Sequence, residues 1–352
     1  MDKEKTINFI ETSFLGELIH NGDITDISYN GKDIFYLHNE KGRCKSQIEI
    51  SEDDAKDFIR QIANLCEKQF SYQTPNLDVS VGRFRINAIH PSIARRNNEG
   101  CLNFAIRITS NSPVISREST FLNAELISLF DTLLKSGVSI VIGGLTGSGK
   151  TELQKYLVSS MPFSSRIIII DNVLELDNLN LEDLDINIWQ ADEKNKQSSI
   201  QDLVRNALRS NPDWLIVAES RGKEMLEVLN SAMTGHPIIT TCHAFDIDGM
   251  PKRMVRMVMM NETKQDYDTV MQDINYCFHF YVYLKRKIQG DGKVLRYIEE
   301  VAEFGENGVK NTIYKNKDGR ISFGKITKET LKNLSYENND KFKETFVKEK
   351  NR

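Results

Sequence analysis

The sequence has no paired cysteines. Its five, Cys44, Cys66, Cys101, Cys242 and Cys277, lie far apart. No two form a CxxC pair, which argues against a zinc ribbon or a redox dithiol. The odd, scattered set fits a reducing compartment. No apolar run approaches the ~18 residues that span a bilayer. The longest are short, such as Val138 to Leu145 and Ile167 to Ile170. The start, Met1-Asp2-Lys3-Glu4-Lys5, lacks the apolar core of a signal peptide. Positive charge is not in excess: 46 Lys and Arg against 50 Asp and Glu give a net charge of -4. Bulk charge therefore lends no support to a nucleic-acid partner. There is no internal repeat and no low-complexity tract. Together these absences predict a cytoplasmic protein with no integral membrane segment, leaving open attachment to a membrane through a partner.

What is present is a globular balance, 39% apolar and 27% charged residues, over 352 residues. That length predicts two domains. Residues 1–112 read as an α+β domain. Asp23 to Leu37 alternates and is broken by Asn30-Gly31, a hairpin signal. Ser51 to Phe70 reads as a helix capped by Ser51, with Phe58, Ile62, Leu65 and Cys66 on one face. Val79 to Ile89 and Leu102 to Ile108 read as strands. The polar stretch from Thr109 to Thr120 predicts a linker, set at 113–121.

From residue 122 the rhythm becomes that of a parallel α/β sheet. Strands are expected at Val138 to Ile142, Arg166 to Ile170, Trp214 to Ala218 and Pro237 to Cys242. Helices are expected at Asn123 to Ser136, Lys150 to Met161, Ile200 to Arg209 and Glu224 to Met233. Met250, Met254, Met257, Met259 and Met260 enrich a further helix, where core packing is the plainer explanation than a binding face. Tyr276 to Arg286 and Val294 to Ala302 read as a hairpin about Gly290-Asp291-Gly292, with a second turn at Asn316 to Gly319. The charged last dozen residues read as frayed.

Gly144-Leu145-Thr146-Gly147-Ser148-Gly149-Lys150-Thr151 fits GxxxxGK[ST]. The glycines let backbone N–H groups wrap a phosphate, and the following helix aims its positive end at the same anion. Lys150 would reach the β- and γ-phosphates and Thr151 would meet Mg²⁺. A Gly-rich turn alone could mimic the pattern, but this one follows an expected strand and opens an expected helix. ATP with Mg²⁺ is the ligand this predicts.

Hydrolysis also needs a carboxylate to hold the metal's water or orient the attacking water. Asp171, with Glu175 four residues on, and Glu219 both sit at strand ends, where α/β sheets place their ligands. A solvated loop carboxylate is the ordinary alternative for any one of them. His243 closes the next strand, where it could contact a γ-phosphate or its attacking water. The expected metal set is Thr151, Asp171 and Glu219.

Together these residues resemble the type II/type IV secretion ATPase superfamily. The loop resembles its Walker A, and Ile170-Asp171-Asn172-Val173-Leu174-Glu175-Leu176 its Asp box. Leu203 to Arg209 through Ile216-Val217-Ala218-Glu219-Ser220-Arg221 resembles the stretch ending in Walker B, and Thr234-Gly235-His236 through Cys242-His243-Ala244 its His box. Phe84-Arg85-Ile86-Asn87-Ala88 and Phe104-Ala105-Ile106-Arg107 resemble N-terminal segments that carry arginines toward nucleotide. The type II branch usually has a four-cysteine insertion, which is absent here. The nearest likeness is the type IV secretion (VirB-type) and Tad-pilus branch.

The resemblance implies a RecA-like P-loop ATPase domain over 122–352, behind the smaller N-terminal domain. It implies a homohexamer, peripheral at the inner face of the cell membrane, working with inner-membrane components of a secretion or pilus machine. In that picture Arg85 and Arg107 act as arginine fingers. Two positions depart from the pattern: Asn172 stands where the family has a carboxylate, and Ala218 where it has glycine. Both bear on hydrolysis more than on binding and motivate an alternative, a nucleotide-gated scaffold. A DNA-translocating ATPase is the third reading, and the acidic charge argues against it.

Overall fold

The computed structural model describes residues 2–109, 114–177, 184–192, 195–261, 265–290 and 292–348. The chain divides into two compact units: Met1–Asn111 with Lys287–Leu295, and Ser112–Arg286 with Arg296–Arg352.

The first unit opens with α1 (Lys3–Glu11) and α2 (Gly16–His20), then β1 (Ile24–Tyr29), β2 (Ile34–His38), β3 (Gly42–Lys45) and α3 (Glu52–Leu65). It continues with β4 (Asn76–Val81), β5 (Phe84–Ile89), the short ladder of β6 (Arg95–Arg96) with β7 (Glu99–Gly100), and β8 (Asn103–Ile108). Six strands form an antiparallel sheet in the order β3-β2-β1-β8-β5-β4. The Asn30-Gly31 turn forms as expected, with Asn30 Oδ1 accepting from the N–H groups of Lys32 and Asp33. Ser51 caps α3 by accepting from Asp54 N at 3.1 Å. Phe58, Ile59 and Ile62 of that helix share a core with Ile27, Ile86 and Ile106 of the sheet. The helix ends at Leu65, short of Phe70. The stretch Val79 to Ile89, expected as one strand, is the hairpin of β4 and β5, turning at Gly82-Arg83.

The second unit contains α4 (Ala124–Lys135), β9 (Ile140–Gly144), α5 (Lys150–Ser159), β10 (Arg166–Asp171), β11 (Asp185–Gln190), α6 (Ile200–Ala207), β12 (Trp214–Val217) and α7 (Met225–Met233). Then come β13 (Ile238–Cys242), α8 (Gly249–Val258), α9 (Tyr267–Cys277), β14 (Phe280–Ile288), β15 (Val294–Phe304), β16 (Lys310–Lys317), β17 (Arg320–Phe323), α10 (Lys328–Leu331) and α11 (Asp340–Phe346). Among the described residues nine strands form one sheet, ordered β11-β10-β12-β13-β9-β14-β15-β16-β17. The first six are parallel neighbours, and β16 runs antiparallel to β15 and β17.

The continuous β-branched runs reflect burial on both faces. Ile167 and Ile169 enter the core shared with α4 and α5, while Ile168 and Ile170 enter the core shared with α6 to α9. Met250, Met254 and Met257 are fully buried in that second core, whereas Met259 and Met260 are exposed.

Several expectations are corrected. Tyr276 and Cys277 belong to α9, so the strand begins at Phe280 and joins the main sheet parallel to β9. Strand β11 was not anticipated; it is half-buried at the sheet edge. The tail is not frayed through its last dozen residues: Phe342 and Phe346 of α11 are fully buried against the α4 core, and 349–352 lie outside the described residues. Of the polar stretch that suggests the linker, 110–113 lie outside the described residues, and so only residue 113 of the linker set at 113–121 does. From there Val114 N donates to Glu152 Oε2, Ile115 is buried, and Arg117 pairs with Asp131. Asp291 of the first hairpin turn also lies outside the described residues, while the second turn is closed by Gly319 N donating to Asn316 Oδ1. No helix among the described residues is long and apolar enough to cross a membrane.

Candidate active site

The phosphate loop is the connection from the carboxyl end of β9 to the first turn of α5. Gly147 and Gly149 hold φ of +73° and +99°, a region that side chains rarely occupy. At Gly144 a Cβ would lie 2.5 Å from Ser148 Oγ and 2.6 Å from Leu284 O, so the curl closes only around a glycine. Ser148 is fully buried and its Oγ has no hydrogen-bond partner. A tight curl with an orphan hydroxyl at a helix N-terminus is the arrangement a phosphate satisfies.

Lys150 lies over this loop. Its Nζ donates to Gly144 O at 3.1 Å and Leu145 O at 3.2 Å, and lies 3.4 Å from His243 Nδ1. Burial pulls the ammonium below its ordinary pKa, an effect opposed by Glu219. His243 is likewise pulled down by burial and by Lys150, which keeps the imidazole neutral near pH 7.

Glu219 follows β12, held in place by Ala218 N donating to Ile170 O and Thr241 Oγ1 donating to Ala218 O. Its Oε2 accepts from Arg221 at 2.6 Å. Its Oε1 lies 3.2 Å from His243 Nε2 but is buried and has no aligned hydrogen-bond donor. Asp171 is placed differently. Its carboxylate is buried, with Oδ1 accepting from Val173 N at 2.9 Å and Oδ2 from Glu175 N at 2.8 Å. Burial raises its pKa while those backbone bonds lower it. Asp171 therefore shapes the following loop, where Leu174 is held at φ +57°. Glu175 is half-buried, and its charge acts on both Lys150 and Arg221.

Among the described residues, no group of three or more His, Cys, Asp or Glu side chains is placed to hold a metal ion. Thr151 lies in the first turn of α5, and Glu219 Oε1 is a buried oxygen without a partner. So few protein oxygens fit Mg²⁺, which keeps most of its waters and is bound largely through substrate phosphates. Burial pushes the Cys242 thiol up to about 12, which keeps it protonated near neutral pH.

Two arginines at the loop escaped the sequence reading. Arg296 Nε donates to Gly147 O at 2.8 Å. Arg286 lies against the same glycine, 3.7 Å from where its Cβ would be, and its Nε is buried without a partner. They reach the loop because Leu284 of β14 stands opposite Gly144 in the parallel ladder. Arg85 and Arg107, in the first unit, are direct register partners on β5 and β8. Arg85 lies 3.6 Å from Asp78 and Arg107 lies 3.3 Å from Asp26.

A parallel sheet with this loop on its central strand, and a carboxylate at the end of another strand, defines the class of P-loop nucleotide-binding proteins. The family model described as Type II/IV secretion system protein matches residues 79–344, and the chain belongs to that family. It is 29% identical to an uncharacterized protein of Bacillus anthracis, over 98% of this chain and 80% of that one. It is 38% identical to the type IV secretion system protein VirB11 of Brucella suis biovar 1, over 35% of each chain. The Legionella pneumophila ATPase DotB shares the fold, with a TM-score of 0.62 at 19% identity, covering 81% of this chain and 78% of that one.

Proposed function

We propose that the chain is a Mg²⁺-dependent ATPase working as a homohexameric motor in a type IV secretion, conjugation or pilus machine. It would act from the cytoplasm, at the inner face of the membrane, through that machine's inner-membrane components. The observation that carries the ATPase reading is the meeting of Lys150, His243 and Glu219 at the carboxyl ends of neighbouring strands.

The loop N–H groups and the start of α5 bind the phosphates. Lys150, released from the carbonyls of Gly144 and Leu145, puts its charge on the β- and γ-phosphate oxygens. Glu219 Oε1 accepts a hydrogen bond from the attacking water and holds it in line. The water oxygen bonds to the γ-phosphorus as the bond to the β,γ-bridging oxygen breaks. ADP leaves, and the water's proton ends on the phosphate product. Neutral His243 gives or takes a hydrogen bond at Nε2 beside that water. Mg²⁺, when bound, would neutralise charge on the β- and γ-phosphates, and Thr151 and Glu219 would hold it or its waters. Arg85 and Arg107 would supply guanidinium charge to the transition state.

The test is steady-state ATP turnover with Mg²⁺, wild type beside Glu219→Gln and Lys150→Ala. Turnover unchanged by either substitution rules the motor out. A strictly monomeric protein at high concentration with ATP and Mg²⁺ rules out the hexamer. The scaffold reading draws on Asp171, whose oxygens are taken up by backbone N–H groups, and on Asn172, which adds no charge. Tight ATP binding without turnover is its signature. The proposed domain division, 1–112 and 122–352 about a 113–121 linker, is testable by limited proteolysis.

A further inference from the structure

On the sheet edge opposite the phosphate loop, where β9, β13 and β14 begin, lies a cavity of about 520 Å³. A volume of this size suits a small organic group. Glu303, near the end of β15, lines it and is 2% exposed. Its Oε1 accepts from Asn311 Nδ2 at 2.6 Å and Thr327 N at 2.8 Å. Its Oε2 is buried with no partner.

Glu300, three residues earlier on the same strand, shows the contrast. It is equally buried, but Lys315 and Lys310 pair with it and Thr312 Oγ1 donates to it at 2.8 Å. A buried carboxylate is strongly disfavoured without such partners. Among the described residues no Lys or Arg pairs with Glu303.

The rest of the lining carries the same sign. Glu306 and Glu329 add two exposed carboxylates, and no Lys or Arg among the described residues lines the cavity. The nitrogen bases are His236 and His279, and burial pulls His279 toward its neutral form. Tyr276, 62% exposed, contributes an aromatic ring of the kind that attracts cations. With no metal-holding group of side chains among the described residues, the cavity asks for an organic cation.

We propose that this cavity binds an alkylammonium or alkylguanidinium group, with its charged head held by the carboxylates of Glu303, Glu306 and Glu329. The group is either a free small amine or guanidine or the basic side chain of a partner polypeptide. The full chain is titrated calorimetrically with agmatine, with a capped Gly-Arg-Gly peptide, and with uncharged butylurea. Agmatine or the peptide binds and butylurea does not. Affinity falls about tenfold in Glu303→Gln, as expected for loss of a buried charge partner. It also falls in Glu306→Gln/Glu329→Gln, which changes only exposed side chains and decides the matter if Glu303→Gln fails to fold. Tighter binding of agmatine assigns the site to a free cation; equal or tighter binding of the peptide assigns it to a side chain. Absence of binding by both charged probes, or affinity unchanged in every variant that folds, overturns the proposal.

Discussion

Glu219 Oε1 stands 3.2 Å from His243 Nε2 without a hydrogen bond aligned between them. The oxygen is near a base yet free to take a water. If it orients the nucleophile, Glu219→Gln keeps the shape and loses the charge. Turnover should then fall about 10²-fold or more, in the range for a misplaced acid–base group. Nucleotide affinity should change far less, because in the proposed site the loop holds the phosphates. Single-turnover kinetics beside equilibrium nucleotide titration separates the two.

His243 and His279 are both pulled below the ordinary value of 6.5 by burial. A base whose folded pKa is depressed takes up protons more readily when unfolded. Stability is then fully present above 6.5 and is lost as pH falls through the folded values. Urea unfolding from pH 8 to 5 should show this fall. His243→Asn/His279→Asn should flatten it, and an unchanged slope would contradict the assignment.

The sequence reveals the strands that carry the site because each is buried on both faces, as Ile167 to Ile170 show. Their ends carry the loop, Glu219 and His243, so linear order alone points to the chemistry. Arg286 and Arg296 are invisible to that reasoning. Their place at Gly147 depends on the pairing of β14 with β9, far apart in sequence. Strand β11 is missed because it is half-buried at an edge and shows no strong apolar run. The role of Asp171 is hidden too, since it depends on which N–H groups occupy its oxygens once the loop after β10 has folded.

The tail offers a stability test. Phe346 lies fully buried in the core with α4, among charged residues that read as solvated. Phe346→Ala should destabilise the protein by about 3–5 kcal/mol, as for other buried aromatic truncations. Chemical denaturation measures it, and a change near zero would mean that α11 does not dock.

Adjacent glycines at the loop should respond unequally. In Gly144→Ala the new Cβ meets the backbone oxygen of Leu284 at 2.6 Å, at a φ of +151°. Backbone cannot swing aside, so a loss of about 1–3 kcal/mol and of nucleotide binding is expected. In Gly143→Ala the obstacle is the end of the Met250 side chain, which is flexible. Met250 is fully buried, so repacking it should cost about 1–3 kcal/mol, but that variant should keep nucleotide binding. Equilibrium nucleotide titration of the folded pair checks the difference.

Arg286 presents a buried Nε without a partner beside the phosphate loop. An unsatisfied guanidinium donor is disfavoured, and an anion in the loop would satisfy it. Arg296 is already spent on Gly147 O and shapes the loop from behind. The two should therefore differ. Arg286→Ala should weaken nucleotide affinity by about tenfold, one charge-assisted hydrogen bond's worth, with unfolding unchanged. Arg286→Lys should recover only part of it, because an ammonium lacks the planar fork. Arg296→Ala should instead lower thermal stability and affinity together. Equal affinity for ATP in wild type and Arg286→Ala would show that this side chain plays no part in holding the phosphates.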